Sequence, residues 1–312
     1  MPIAILCSGQ GQQHARMFDL VADAPEAAEF FTVAAELLDG QDPRELVRSA
    51  SPEALEENRT AQILCVLQAV ALQAALGDAL SARRLVAGYS VGEVAAWALA
   101  GLISGTQALR LVAIRAEAMN AASRGREGLT FVRGLKREAI ERLCRTQETA
   151  IAIANPGNGF VVGGTVAALQ TFEEGAVRSG AERIVRLKVH VASHTPRLAN
   201  ASAAFASSLA KAAICSGVPN GVRLFSGIDG AMVLDVSSGA TKLADQISHT
   251  VEWASCLESC REAGASAFLE LGPGHALSAM ATEVDPRTRS RCAEDFKGLS
   301  GIRDWIASQS QQ

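Results

Sequence analysis

The sequence predicts an α/β protein in which a small βαββαβ unit is inserted into a larger α/β body. Two observations carry that reading. Short, largely apolar runs at 3–7, 85–87 and 268–271 are separated by long helical patterns, the arrangement of buried parallel strands with covering helices. Between about 129 and 189 the texture changes to strands and helices on short intervals, in the order β-α-β-β-α-β, which is the ferredoxin-like signature. The expected division is therefore residues 1–125 and 193–312 for the body and 126–192 for the insertion.

Each element has a local reason. The opening run 3–7 breaks at Gly9-Gln10-Gly11, and helices are predicted over 24–38 and 61–80. The second helix is apolar almost all round, so it belongs in the interior rather than on the surface. A strand at 85–87 leads through a glycine-flanked turn, 88–92, into an alanine-rich helix over 93–100. Gly101 is placed to stop that helix in the left-handed conformation after its last turn. A further helix is expected over 106–122, followed by a polar linker at 123–128. In the insertion, strands are predicted at 129–132, 150–155, 160–163 and 183–189, with helices over 136–145 and 167–179. Asn155-Pro156-Gly157-Asn158-Gly159 is dense in turn residues and reads as a hairpin connection. The body resumes with a helix over 197–213, a strand at 222–226, another helix, and a strand at 268–271 that ends at Gly272-Pro273-Gly274.

Composition removes several function classes. With 312 residues, 48% of them hydrophobic, the chain buries a full core and is not disordered. Its 29 basic and 33 acidic residues give a net charge of −4, without the basic footprint of a nucleic-acid binder. No run of about 18 uninterrupted apolar residues appears, so no membrane span is expected. The opening Met1-Pro2-Ile3-Ala4-Ile5-Leu6-Cys7 has no basic stretch and too short an apolar run for a signal peptide. The seven scattered cysteines, an odd number, read as reduced core thiols of a cytoplasmic protein. Cys256 and Cys260 stand one helical turn apart, but no matching His or Cys pair completes a metal site, and none is expected.

The chemistry concentrates at Gly88-Tyr89-Ser90-Val91-Gly92, a G-x-S-x-G sequence between a short apolar strand and a helix. Glycines on either side allow a sharp turn, Ser90 at the apex is held out of both ladders, and the Val91 N–H opens the helix where an oxyanion is favoured. Plain turn chemistry gives the same letters, so the serine needs a partner. Among the histidines, His194 lies in a loop returning to the body, His190 competes from the strand end, and His249 and His275 sit in turn-like contexts. Gly9-Gln10-Gly11 offers close backbone approach and a second oxyanion donor in Gln10, or is an ordinary turn. Arg115 shares a helix face with Leu111 and Met119, an inward-facing one. A buried arginine needs an anion, which is either a carboxylate of the chain or a carboxylate of the substrate.

With these residues in place, the chain resembles the malonyl-CoA:acyl carrier protein transacylases, the acyltransferase family of fatty acid and polyketide synthesis. The family's G-Q-G-x-Q is Gly9-Gln10-Gly11-Gln12-Gln13, its G-H-S-x-G-E is Gly88-Tyr89-Ser90-Val91-Gly92-Glu93, and its helix arginine matches Arg115. The S-H of the base loop matches Ser193-His194, the P-V-x-W segment is Thr250-Val251-Glu252-Trp253, and E-x-G-P-G is Glu270-Leu271-Gly272-Pro273-Gly274. The resemblance implies an α/β-hydrolase-like larger subdomain with a ferredoxin-like insert. It implies Ser90 as nucleophile, His194 as base, the N–H groups of Gln10 and Val91 as oxyanion hole, and Arg115 as the grip on a malonyl carboxylate. Tyr89 and Asn155 would contact substrate, and the carbonyl of Glu252 would orient the histidine. Malonyl-CoA would be the acyl donor with no bound cofactor, and an acyl carrier protein with a phosphopantetheine-type arm the partner. Arg183, Arg186 and Lys188 would offer an acidic carrier a local positive patch, or form a plain solvated strand face.

Three departures stand out. Cys7-Ser8-Gly9 replaces the common F-P-G, the T-V-E-W segment lacks the usual proline, and Tyr89, the one tyrosine of the chain, stands where histidine is usual. A tyrosine there is similar to the epsilon subunit of malonate decarboxylase, which loads malonyl onto that enzyme's own small carrier, so partners among malonate decarboxylase subunits are a second expectation. Two other readings compete. A serine esterase or thioesterase would draw on Asp229 or Asp245 with His249 or His275. A scaffold subunit would use the fold without the chemistry.

Overall fold

The structure is a computed structural model that describes residues 2–80 and 83–310. Its strands are β1 (Ile3–Cys7), β2 (Arg84–Gly88), β3 (Glu127–Arg133), β4 (Ala150–Asn155), β5 (Gly159–Thr165), β6 (Arg183–Arg186), β7 (Val222–Phe225), β8 (Ala267–Leu271) and β9 (Arg289–Cys292). Five of them form a parallel sheet in the order β7-β2-β1-β8-β9. The other four form an antiparallel sheet in the order β4-β5-β3-β6, with its first and last strands in sequence adjoining as the ferredoxin-like pattern requires. The parallel sheet and the antiparallel sheet are those of the predicted fold class.

The alternation of side chains along β1 builds two cores. Ile3, Ile5 and Cys7 face the larger one, formed with the helices Asn58–Leu76, Gly92–Leu99, Gly105–Ala122 and Ala199–Leu209. Ala4 and Leu6 face the other, which joins the helix Trp253–Glu262 to Leu129, Ala152, Ile153 and Val161 of the insertion. The run Asn58–Ala79 is long and apolar enough to cross a bilayer, and here it is the buried central helix of the larger core. The insertion has its own small core, in which Ile140, Cys144, Leu169 and Phe172 from its two helices cover one face of its sheet.

Backbone pairing fixes the insertion against the body. Val251 makes a parallel bridge to Ile153: its N–H donates to the Ala152 carbonyl at 2.9 Å and its carbonyl accepts from the Ala154 N–H at 2.8 Å. The edge strand β4 is therefore closed by a body segment and not left open, and the cleft between the units is held in register.

Differences from the predicted elements have physical causes. The linker is shorter than 123–128, because β3 starts at Glu127, a residue whose charge marks it as polar. Its carboxylate is buried and accepts from Arg197 Nε at 2.7 Å and Ser123 Oγ at 2.8 Å. Strand β9, Arg-Ser-Arg-Cys, lies at the sheet edge with its arginines exposed, so no apolar run announces it.

Candidate active site

Strand β2 delivers Ser90 to the carboxyl end of the parallel sheet, beside the centre. Ser90 has φ 55°, the left-handed conformation that side chains avoid unless the surroundings impose it. The flanking glycines are packing requirements here. A Cβ on Gly92 would sit 2.1 Å from the Cys7 carbonyl oxygen, and one on Gly88 would sit 2.2 Å from the Glu93 nitrogen. The Tyr89 N–H donates to the Cys7 carbonyl at 3.0 Å, tying the turn to β1. Helix Gly92–Leu99 then starts with Val91 at its N-cap. Among the described residues, the N–H groups of Val91 and Gln10 donate no hydrogen bond within the chain. Both amides are thereby without a partner in the described chain.

The loop that returns to the body places His194 against Ser90. Its Nε2 lies 2.7 Å from Ser90 Oγ and its Nδ1 2.5 Å from the Gln246 carbonyl oxygen. A carbonyl only accepts, so Nδ1 carries the proton and Nε2 is free to accept from the serine hydroxyl. The main chain holds the ring in place: His194 has φ 61° and its N–H donates to the Ile247 carbonyl at 2.8 Å. The competing histidines lie elsewhere. His190 is exposed, His249 Nδ1 donates to the Asp245 carbonyl at 2.9 Å, and His275 lies 3.2 Å from Asp295. Asp229 pairs with Lys242 at 2.6 Å, so the pieces of an Asp-His hydrolase triad do not assemble at Ser90.

The orienting carbonyl corrects the sequence reading, which assigned it to Glu252. That residue precedes the helix Trp253–Glu262, its carboxylate is bound by Arg137, and its N–H donates to the Gly227 carbonyl at 2.8 Å. Gln246 instead caps the helix Val236–Asp245, where a carbonyl has no partner further along the helix and is available to His194.

Arg115 is fully buried on the helix Gly105–Ala122. Its Nη1 donates to Gln62 Oε1 at 2.6 Å and contacts Met119 Sδ at 3.2 Å, while Nη2 reaches Gln246 Oε1 at 3.4 Å. Its Nε has no partner, and among the described residues no carboxylate approaches within ion-pair distance. The alternative of an internal ion pair is therefore not what the structure shows. Two residues given no role in the sequence reading, Glu93 and Gln246, complete the buried polar cluster: Gln246 Nε2 donates to Glu93 Oε2. Glu93 was visible as the last letter of the serine motif, while Gln246 has no motif to mark it.

A cavity of about 450 Å³ opens beside the serine turn, lined by Gly9, Gln10, Tyr89, Asn155, Met280 and the segment from Arg183 in β6 to Lys188 beyond its end. Tyr89 and Asn155 are thus at the cavity wall, and the Tyr89 ring stands edge-on to Trp253 with centroids 5.3 Å apart. The proposed positive patch is smaller than the sequence suggests. Arg186 is paired with Glu173 at 2.8 Å and Lys188 with Glu56 at 2.7 Å.

Burial, reinforced by the Arg115 charge, lowers the His194 pKa from 6.5 to about 3. Neutral imidazole is the form that accepts a proton, so His194 stays able to accept one through pH 5, where an ordinary histidine is charged. With His194 as base for the Ser90 hydroxyl, the acid limb of Ser90 acylation by a thioester is expected to lie below about pH 4; thiol release followed from pH 4.5 to 8 checks this, and an inflection near 6.5 would contradict it. The sign for stability follows the same shift. The unfolded chain binds a proton below 6.5 that the folded one refuses, so this residue's contribution is present above 6.5 and lost as the pH falls toward 3.

Residues 5–297 match the acyl transferase domain family. The chain belongs to that family. Its relatives there include malonyl CoA-acyl carrier protein transacylases: that of Mycobacterium tuberculosis H37Rv is 31% identical over 290 residues, 89% of this chain and 92% of the relative. That of Haemophilus influenzae is 25% identical over 312 residues, 97% of this chain and 98% of the relative. Among solved structures, the acyl-carrier-protein S-malonyltransferase of Burkholderia pseudomallei superposes with a TM-score of 0.89 at 27% identity, covering 97% of this chain and 100% of that one. A malonyl-transacylase in complex with its type II PKS acyl-carrier protein superposes with a TM-score of 0.88 at 26% identity, covering 97% and 99%.

Proposed function

We propose that this chain transfers a malonyl group from malonyl-CoA to the phosphopantetheine-type thiol of an acyl carrier protein, through a malonyl ester on Ser90. The observation that carries the reading is a guanidinium buried without an internal carboxylate, in one polar cluster with a Ser90–His194 pair. A hydroxyl and a base account for acyl transfer in general; the unpaired cation supplies the preference for an acyl group that ends in a carboxylate.

In the first half-reaction Ser90 Oγ attacks the thioester carbonyl while His194 Nε2 takes its proton. The oxyanion lies against the N–H groups of Gln10 and Val91, and losing one such donor costs about 3–4 kcal/mol. When the tetrahedral intermediate collapses, the C–S bond breaks and His194 returns the proton to the coenzyme A thiol. In the second half-reaction the arm thiol loses its proton to His194, attacks the ester, and Ser90 leaves as the hydroxyl. The scheme needs no metal or bound cofactor. The cavity at Tyr89 and Asn155 provides the way in for both thiols.

The test is a time course of coenzyme A release from malonyl-CoA. Without a carrier, release stops at one equivalent per chain; with a holo carrier it continues to many. Sustained release without a carrier would identify a thioesterase. Tyr89 is the single residue that favours the carrier of a malonate decarboxylase over a fatty-acid-type carrier, and offering the two holo carriers in competition decides between them by which is malonylated faster.

A further inference from the structure

Glu93 is a fully buried carboxylate with a task that the acyl-transfer scheme does not use. It stands in the first turn of the helix that follows Ser90. One carboxylate oxygen, Oε2, accepts the Gly227 N–H at 3.0 Å and the Gln246 side-chain amide. Gln246 is a junction with three arms. Its side-chain nitrogen holds Glu93, its side-chain oxygen faces Arg115 Nη2 at 3.4 Å, and its main-chain oxygen holds His194 Nδ1 at 2.5 Å. A single amide therefore connects the carboxylate to the guanidinium, and the same residue presents the carbonyl that orients the base.

We propose that Glu93 is a positioning and specificity-determining residue: through Gln246 it offsets the Arg115 charge in the empty site, competes with the incoming malonyl carboxylate for that charge, and steadies the carbonyl that orients His194. This inference rests on the malonyl-transfer reading. Its physical basis is that a buried cation with no carboxylate in contact still lowers its energy through a nearby one. Glu93 is close enough to raise the Arg115 pKa against the burial that brings it down to about 10. Burial pushes the Glu93 carboxyl up to about 7, opposed by its hydrogen bonds and by the Arg115 charge, which favours the ionised form. A malonyl carboxylate arriving at Arg115 makes two anions around one cation. The chain thus sets its preference for malonyl below the ceiling that an uncompensated arginine would give.

The experiment separates charge from reach. The readout is the ratio of kcat/KM for malonyl-CoA to kcat/KM for acetyl-CoA, with kcat for each donor recorded beside it. Glu93→Gln keeps the shape and an accepting oxygen but removes the charge, and is expected to raise the ratio by about 3- to 10-fold. Glu93→Asp keeps the charge but draws it back from Gln246, and is expected to lower kcat with both donors by about tenfold without raising the ratio. A ratio that stays or falls in Glu93→Gln overturns the competition, and a wild-type kcat in Glu93→Asp overturns the link through Gln246. Should Arg115→Ala leave the malonyl preference intact, the underlying reading fails and this inference with it. A preference that depends on Arg115 but ignores Glu93→Gln removes this inference alone.

Discussion

His194→Ala is expected to lower kcat for malonyl transfer by about 10²- to 10⁴-fold, the usual contribution of a positioned general base. The loss should fall on kcat, because the groups proposed to bind the malonyl carboxylate and the arm are untouched. Two features of the site make the effect large. The imidazole is held neutral by burial, so it is ready to accept a proton without first losing one. It is also fixed in one tautomer, with Nδ1 on the Gln246 carbonyl and Nε2 on Ser90 Oγ. A variant that loses activity through KM instead would show that the histidine shapes the pocket rather than the proton transfer. His190→Ala serves as the neighbouring control, since that residue is exposed.

The second large effect is a change of donor. Arg115→Ala is expected to reduce kcat/KM for malonyl-CoA by about 30- to 1000-fold, equivalent to about 2–4 kcal/mol. Acetyl-CoA should be used as well as before or better. An acetyl group leaves the buried guanidinium without its anion, and removing the guanidinium removes that penalty. Arg115→Lys should not restore malonyl use fully, because a lysine cannot present a planar fork to a carboxylate. Equal losses with both donors would point to a structural arginine. Thermal melting is the companion measurement, because the truncation also strips Gln62 Oε1 and Gln246 Oε1 of a donor.

Much of this site is written in side chains that stand out against their surroundings. Ser90 lies between glycines where an apolar strand meets a helix. Arg115 is a charge on an inward-facing helix stripe, and burial with no carboxylate partner among the described residues gives that oddity its meaning. The helix 61–80 was readable as interior because it has no polar face, and the structure places Asn58–Leu76 at the centre of the larger core. The group that orients His194 was not readable in the same way. It is a main-chain carbonyl, which any residue supplies, and only the end of the helix Val236–Asp245 makes it available. The nearby Thr250-Val251-Glu252-Trp253 motif drew the assignment six residues too far along. Val251 of that motif has another task, clamping the edge of β4 to the body. Glu127 and β9 escaped for a related reason: charged letters read as loop until a partner such as Arg197, or an edge position, explains them.

The most direct test of the account is the mass of the intact chain after incubation with malonyl-CoA and no carrier, followed by peptide mapping. A single added malonyl group on the Ser90 peptide, absent in Ser90→Ala and discharged on adding a holo carrier, is the predicted result. Continued turnover with no adduct, or a stable malonyl group on any other residue, would contradict it.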